Sequence, residues 1–292
     1  MTFTTLIGAA ALRDPLKEPE LTIVDCRFDL ADPQAGRRAY LDGHIPGARY
    51  ADLNKDLSGP ISATSGRHPL PSPADFAATA KRWGIGRTTQ VIAYDDSAGA
   101  YAARCWWLLR WMGHDAVAVL DGGIKAWLGV GGRLESGAGD LEARPAQAMP
   151  KGGQDAMPQV NAAAVIDTAE VAARLRDPGF LLIDARAAER FAGSVEPIDS
   201  VAGHVVGALN HPFSANLGAD GHFLPAPELR RQWLKHLGGK EPAQVAAMCG
   251  SGVTACHNLL SLEVAGLPGA KLYAGSWSEW IRDPRRAVAR GA

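Results

Sequence analysis

Cysteine is scarce: four residues in 292, at Cys26, Cys105, Cys249 and Cys256, with no CxxC pair. That number cannot build a disulfide scaffold. Without paired spacing no structural metal site is expected either. An excess of one charge is also missing, with 30 Lys and Arg against 31 Asp and Glu for a formal net charge of −1. So balanced a chain has no global field to hold a polyanion, and nucleic acid is not an expected partner. The 33 glycines and 19 prolines follow no Gly-X-Y period, which excludes collagen. No basic stretch opens the mildly apolar residues 1–11, which end at Arg13 and Asp14, so no signal peptide is read there. The longest uncharged apolar window, 245–262, is broken by Gly250, Ser251, Gly252, Thr254, His257 and Asn258. It reads as a buried strand, loop and helix, not as a membrane span. A cytoplasmic protein with reduced thiols is expected.

What is present is a globular composition, 47% hydrophobic and 21% charged, far from the disordered class. The chain also repeats itself. Ile23-Val24-Asp25-Cys26-Arg27 returns as Leu182-Ile183-Asp184-Ala185-Arg186, and Gly43-His44-Ile45-Pro46-Gly47-Ala48 returns as Gly203-His204-Val205-Val206-Gly207-Ala208. Weaker echoes link Val91-Ile92-Ala93-Tyr94-Asp95 to Val245-Ala246-Ala247-Met248-Cys249, and Leu120-Asp121-Gly122 to Tyr273-Ala274-Gly275. Matches in one order, all 153–160 positions apart, mean a duplicated domain of about 130 residues. Residues 129–159, rich in Gly, Ala and Pro, read as a surface linker. The expected organisation is an N-terminal domain at 1–136, a linker at 137–160 and a C-terminal domain at 161–292. The basic end, Arg282, Arg285, Arg286 and Arg290, reads as a solvated tail.

Each copy alternates short Val- and Ile-rich runs with helical spacing. Strands are expected at 21–25, 91–94 and 116–120, then at 180–183, 245–248 and 271–273. Helices are expected at 74–83, 100–111, 228–237 and 255–265. The fold class is therefore α/β, with a small parallel sheet flanked by helices, twice over. Ligands of such sheets bind beyond the carboxyl ends of strands, which directs attention to Asp95 in one copy and Cys249 in the other.

Cys249-Gly250-Ser251-Gly252-Val253-Thr254 lies between an apolar strand and an apolar helix. Small residues let such a loop curl its N–H groups inward into an anion-binding nest. A helix end contributes about 0.3–1 kcal/mol to a nearby anion, so several charge-assisted N–H bonds must supply the rest of what holds Cys249 as thiolate.

These features together, the repeated Asp-x-Arg and Gly-His-x-x-Gly-Ala pairs, the duplication, and the loop from Cys249 to Ala255, resemble the tandem-domain rhodanese family of sulfurtransferases over nearly the whole chain. The resemblance implies a persulfide on Cys249, ping-pong kinetics, no metal and no cofactor, with sulfane sulfur passing from thiosulfate or 3-mercaptopyruvate to cyanide or a thiol. Thioredoxin or another thiol protein is an implied acceptor. Gly250 and Ser251 look most like the mercaptopyruvate-using members, since thiosulfate-using members carry two basic residues there. One live and one inactive domain are implied as well, which fits Asp95 at the cysteine position of the first copy.

Site candidates around Cys249 are Gly250, Ser251, Gly252, Val253 and Thr254 from the loop, with Arg186, Arg67 and His68 as more distant groups. His68 has no counterpart in the second copy, and the resemblance implies that it reaches the active cleft. Asp25, Arg27, Asp184 and Arg186 recur in both copies, and a shared role reads as structural, as it does for His44 and His204. Arg186 nevertheless stays, with Arg67, a candidate cation for the donor. The resemblance also implies an arginine after Glu196-Pro197 to hold a carboxylate, but Ile198 stands there, and Asn54 stands where an acid would partner His68. On these grounds both donors are expected to turn over, each with a high KM and a lean towards thiosulfate. Cys26, Cys105 and Cys256 read as packed thiols. A non-turnover persulfide carrier is the alternative. A cysteine phosphatase is disfavoured because Ala255 and Cys256 stand where its phosphate-clamping arginine is needed.

Overall fold

Five short runs before residue 121 become parallel strands because both of their faces are covered. They are β1 (Leu6–Ile7), β2 (Leu21–Asp25), β3 (Arg49–Tyr50), β4 (Gln90–Tyr94) and β5 (Val117–Leu120), in the order β1-β5-β4-β2-β3. Every residue of β5 is buried, and so is all of β4 after Gln90. Their sequences are accordingly continuous apolar runs with no polar alternation. The chain is described here from a computed structural model covering residues 2–13, 20–138 and 160–291.

Helix Pro73–Arg82 begins where Ser72 accepts the Asp75 N–H, with proline in the first turn. Asp75 near its start and Lys81 and Arg82 near its end match the helix dipole. Helix Ala102–Trp111 is buried on nearly all sides, Arg104 included. This explains why its sequence carries no clean polar face.

The second half repeats the plan. Strands β6 (Leu181–Asp184), β8 (Leu209–Asn210), β9 (Val245–Met248) and β10 (Lys271–Leu272) form a parallel sheet in the order β10-β9-β6-β8. Between β6 and β8, β7 (His204–Val205) pairs antiparallel with β11 (Val288–Ala289). A parallel bridge from Val165 to Leu272 stands where β1 pairs with β5 in the first half, and an antiparallel bridge from His44 to Glu135 mirrors β7 with β11. Helices Ala226–Leu237 and Ala255–Val264 flank the sheet.

The repeated motifs brace each copy internally in the same way. Arg27 grips Asp25 through Nε and Nη2, at 3.0 and 2.6 Å, and donates to Gly43 O at 2.7 Å. Arg186 grips Asp184 at 3.0 and 2.7 Å and donates to Gly203 O at 2.8 Å. His44 stacks on Tyr40 at 3.8 Å and donates from Nδ1 to Tyr40 O, while His204 does the same with Phe191. Each clasp ties the end of a central strand to the Gly-His turn through a desolvated, bidentate ion pair.

The compact units depart from the sequence boundaries. One comprises Met1–Gly59 with Pro71–Asn161, and the other Pro60–Leu70 with Ala162–Ala292. Residues 60–70, assigned by sequence to the first domain, thus belong to the second unit. Backbone bonds inside that unit explain it: Arg67 N–H donates to Ser278 Oγ and Gly66 N–H to Glu279 Oε2. Most of the expected linker at 137–160 lies outside the described residues. The basic end is solvated at Arg282, Arg285 and Arg290 as expected, but it is pinned and not a free tail, because β11 pairs with β7, Trp280 Nε1 donates to Ala287 O, and Arg286 donates to the Glu279 and Trp280 carbonyls. Among the described residues no helix is long and apolar enough to cross a membrane.

Candidate active site

Strand β9 ends at Met248 and helix Ala255–Val264 starts six residues beyond Cys249, so residues 249–254 must reverse the chain in a tight loop. Its entry is fixed from behind. Cys249 N–H donates to Ser276 Oγ at 3.0 Å, Cys249 O accepts from Trp277 N–H, and Gly250 O accepts from Ser278 N–H. With the strand end anchored, the loop curls over the sulfur: Ser251 and Gly252 N–H groups point at Cys249 Sγ at 3.4 and 3.1 Å. These donors stabilise a negatively charged sulfur. Gly252 sits at φ +79°, and a Cβ there would fall 2.4 Å from Ala274 O, so only glycine fits. Val253 is buried beneath the loop, and Thr254 occupies the helix N-cap position without a side-chain cap.

The first copy shows what this loop topology does when a carboxylate replaces the thiol. Asp95 is fully buried and accepts N–H bonds from Ser97, Gly99, Tyr101 and Ala102 at 2.8–2.9 Å. Burial pushes its carboxyl up, and those four N–H groups oppose the push. The first loop is therefore closed around its own anion, with no thiol to react.

His68 arrives with the 60–70 segment and places Nδ1 2.8 Å from Ser251 Oγ, both groups being buried. Arg67, beside it, reaches the same loop: a methyl group on Gly250 would lie 3.2 Å from Arg67 Nη2 and 3.7 Å from Arg190 Nη1. Two guanidiniums therefore stand next to Gly250. Asp199 accepts from Arg67 Nη1 and, at 3.0 Å, from Arg190 Nη2. Glu196 accepts from Arg190 at 2.7 Å and from the N–H groups of Ile198 and Asp199. Burial alone would raise the Glu196 carboxyl, but Arg190 and those N–H groups outweigh it and hold it below the usual range.

The structure thus brings Cys249, Gly250, Ser251, Gly252, Arg67 and His68 together. Arg186 is a correction: its side chain is 1% exposed and is engaged by Asp184, Gly203 O and Glu196, the clasp that Arg27 forms in the first copy. It braces the sheet and Glu196 and is not available to a donor. Cys256 is a packed thiol whose Sγ donates to Gly252 O at 3.4 Å. The sequence reading missed Arg190, Asp199 and Ser276. A signal for Arg190 did exist: it precedes the stacking Phe191, whereas Ala39 precedes the stacking Tyr40. That match needs the histidine stacking to set the register, because the spacing from aromatic to histidine differs between the copies.

Comparison with known proteins agrees with this geometry. The model of the rhodanese-like domain matches residues 8–129 and again 167–283. A probable 3-mercaptopyruvate sulfurtransferase of Pseudomonas aeruginosa is 50% identical, with all of both chains covered. A putative thiosulfate sulfurtransferase, SseB, of Mycobacterium tuberculosis is 40% identical over 100% of this chain and 96% of its own. Among solved structures, the 3-mercaptopyruvate sulfurtransferase from Leishmania major superposes with a TM-score of 0.80 at 31% identity, covering 96% of this chain and 76% of that one. With two matched domains, an anion-cradling cysteine loop in one and a carboxylate in its place in the other, the chain belongs to the rhodanese family.

Proposed function

We propose that this sulfurtransferase takes a sulfur atom onto Cys249 from 3-mercaptopyruvate in preference to thiosulfate, and passes it as persulfide sulfur to a small thiol or cyanide. The observation that carries the reading is the pair of guanidiniums, Arg67 and Arg190, beside Gly250, the residue that separates Cys249 from Ser251, whose hydroxyl lies 2.8 Å from His68 Nδ1. The lean towards thiosulfate in the sequence rested on Ile198 replacing a carboxylate-holding arginine. Arg190, with Arg67, supplies cations that Ile198 lacks.

The donor's carboxylate sits on the arginines and its carbonyl faces Ser251. Cys249 thiolate attacks the donor sulfur, a Cys–S–S bond forms, and the donor's C–S bond breaks with its electron pair going to carbon. The product is the enolate of pyruvate, which takes up a proton. When His68 Nδ1–H donates to Ser251 Oγ, the serine O–H is left to donate to the developing enolate oxygen, a general-acid arrangement. The Ser251 and Gly252 N–H groups stabilise the thiolate before attack and the persulfide anion after it. An incoming thiolate or cyanide attacks the outer sulfur and restores Cys249. In this reading the protein works in the reducing cytoplasm, and thioredoxin or another thiol protein is a further acceptor.

Steady-state kinetics with cyanide as acceptor test the reading. The expected result is ping-pong turnover with kcat/KM higher for 3-mercaptopyruvate than for thiosulfate. A stoichiometric persulfide with no turnover from either donor makes the protein a carrier instead.

A further inference from the structure

The charges at the donor mouth cancel. Arg67, Arg190 and Arg186 face Asp199, Glu196 and Asp184, so three positive groups meet three negative ones. Asp184 belongs to the sheet clasp and Glu196 to the Arg190 and Arg186 pairs. Asp199 is different, because it bridges the two guanidiniums that flank Gly250. Its side chain is 3% exposed, against 26% for Arg67 and 16% for Arg190, so the carboxylate lies behind the arginines and their outer edges face solvent. Arg67 Nε is buried and has no hydrogen-bond partner among the described residues, so Asp199 engages only part of that guanidinium.

We propose that Asp199 is a specificity-determining residue: it spaces Arg67 and Arg190 as one fork and removes a positive charge from it, so that a monoanionic carboxylate donor is favoured over a dianionic one. The inference rests on the proposed donor reading and deepens it. Its physical basis is that electrostatic energy scales with the charge of the ligand. One unit of charge added at the mouth therefore favours thiosulfate, a dianion, about twice as strongly as mercaptopyruvate, a monoanion. General damage to the mouth lowers both donors together and leaves their ratio unmoved. The ratio thus isolates the charge effect from a merely structural one.

The experiment compares wild type with Asp199→Asn and Asp199→Glu in two ratios. The first is kcat/KM for thiosulfate over that for 3-mercaptopyruvate. The second, independent of any donor, is the alkylation rate of Cys249 by iodoacetate, an anion, over that by neutral iodoacetamide. Asp199→Asn is expected to raise both ratios about tenfold or more and to make the iodoacetate rate fall more steeply with salt. Asp199→Glu, which keeps the charge, is expected to stay near wild type. Should Asp199→Asn not fold, Arg67→Gln replaces it and is expected to shift both ratios the opposite way. A change below twofold in either ratio overturns the inference. Wild type that is alkylated normally yet turns over neither donor refutes the donor reading alone, and the alkylation ratio still decides the role of Asp199.

Discussion

The imidazole of His68 lies 2.8 Å from the hydroxyl of Ser251, although 183 positions separate them in the chain. The pair exists because the 60–70 segment leaves its own sequence repeat and packs with the cysteine-bearing unit. If the two groups act as one proton-donating device, their removal is not additive. Ser251→Ala and His68→Gln should each lower kcat/KM for 3-mercaptopyruvate by about 100-fold, within the range of general acid catalysis. The double variant should be little worse than either. Losses that multiply in the double variant would show two independent contributions.

Ser251 and Gly252 aim N–H donors at the buried sulfur of Cys249 in the strand-to-helix loop. Intact-mass measurement after incubation with donor should show one added sulfur atom on wild type and on Cys256→Ser, and none on Cys249→Ser. A donor-dependent adduct surviving on Cys249→Ser refutes the assignment.

Two glycines of the loop make opposite predictions. Gly252→Ala forces a side chain into a left-handed backbone 2.4 Å from Ala274 O, and should cost about 1–3 kcal/mol of stability as well as the persulfide. For Gly250→Ala the nearest atoms are the guanidinium ends of Arg67 and Arg190, at 3.2 Å and beyond, and no backbone atom comes closer. It should leave the unfolding free energy from urea denaturation within about 0.5 kcal/mol of wild type while raising KM for the donor. Equal destabilisation by both substitutions contradicts the distinction.

Acid should weaken the cysteine-bearing unit through a histidine outside the site. His211 Nε2 donates to Asn216 Oδ1 at 2.9 Å, which leaves its Nδ1 to accept from His236 Nε2–H at 3.0 Å. Burial pulls His211 down to about 4, and His236 is lowered as well, by burial and then by Lys235. The folded state therefore keeps His211 neutral where an unfolded chain, near pKa 6.5, already binds a proton. Stability is fully present above pH 6.5 and falls as the pH drops towards 4, by up to about 1.4 kcal/mol per pH unit. Urea denaturation from pH 7.5 to 4.5 should show this slope in wild type and a shallower one in His211→Gln. Parallel slopes count against His211 as the source.

The duplicated α/β plan was legible in the sequence because it is written in local chemistry. Continuous Val- and Ile-rich runs such as 21–25 and 245–248 mark strands covered on both faces, and Asp-x-Arg with Gly-His marks the clasp in each copy. The cysteine loop was legible for the same reason, since small residues between a strand and a helix can do little else than curl inward. Tertiary structure alone decided which charges meet. Arg186 resembled a donor cation until the fold committed it to Asp184 and Gly203 O. Asp199 carried no motif and the signal at Arg190 is readable only once the His204 stacking is known, yet folding sets both against Arg67 beside Gly250. Periodicity reports which side of an element is buried, whereas pairing between charged side chains depends on distances that only the packed chain fixes. For the same reason 60–70 read as a loop of the first copy, and its place in the second unit rests on backbone bonds to Ser278 and Glu279 that no local pattern encodes.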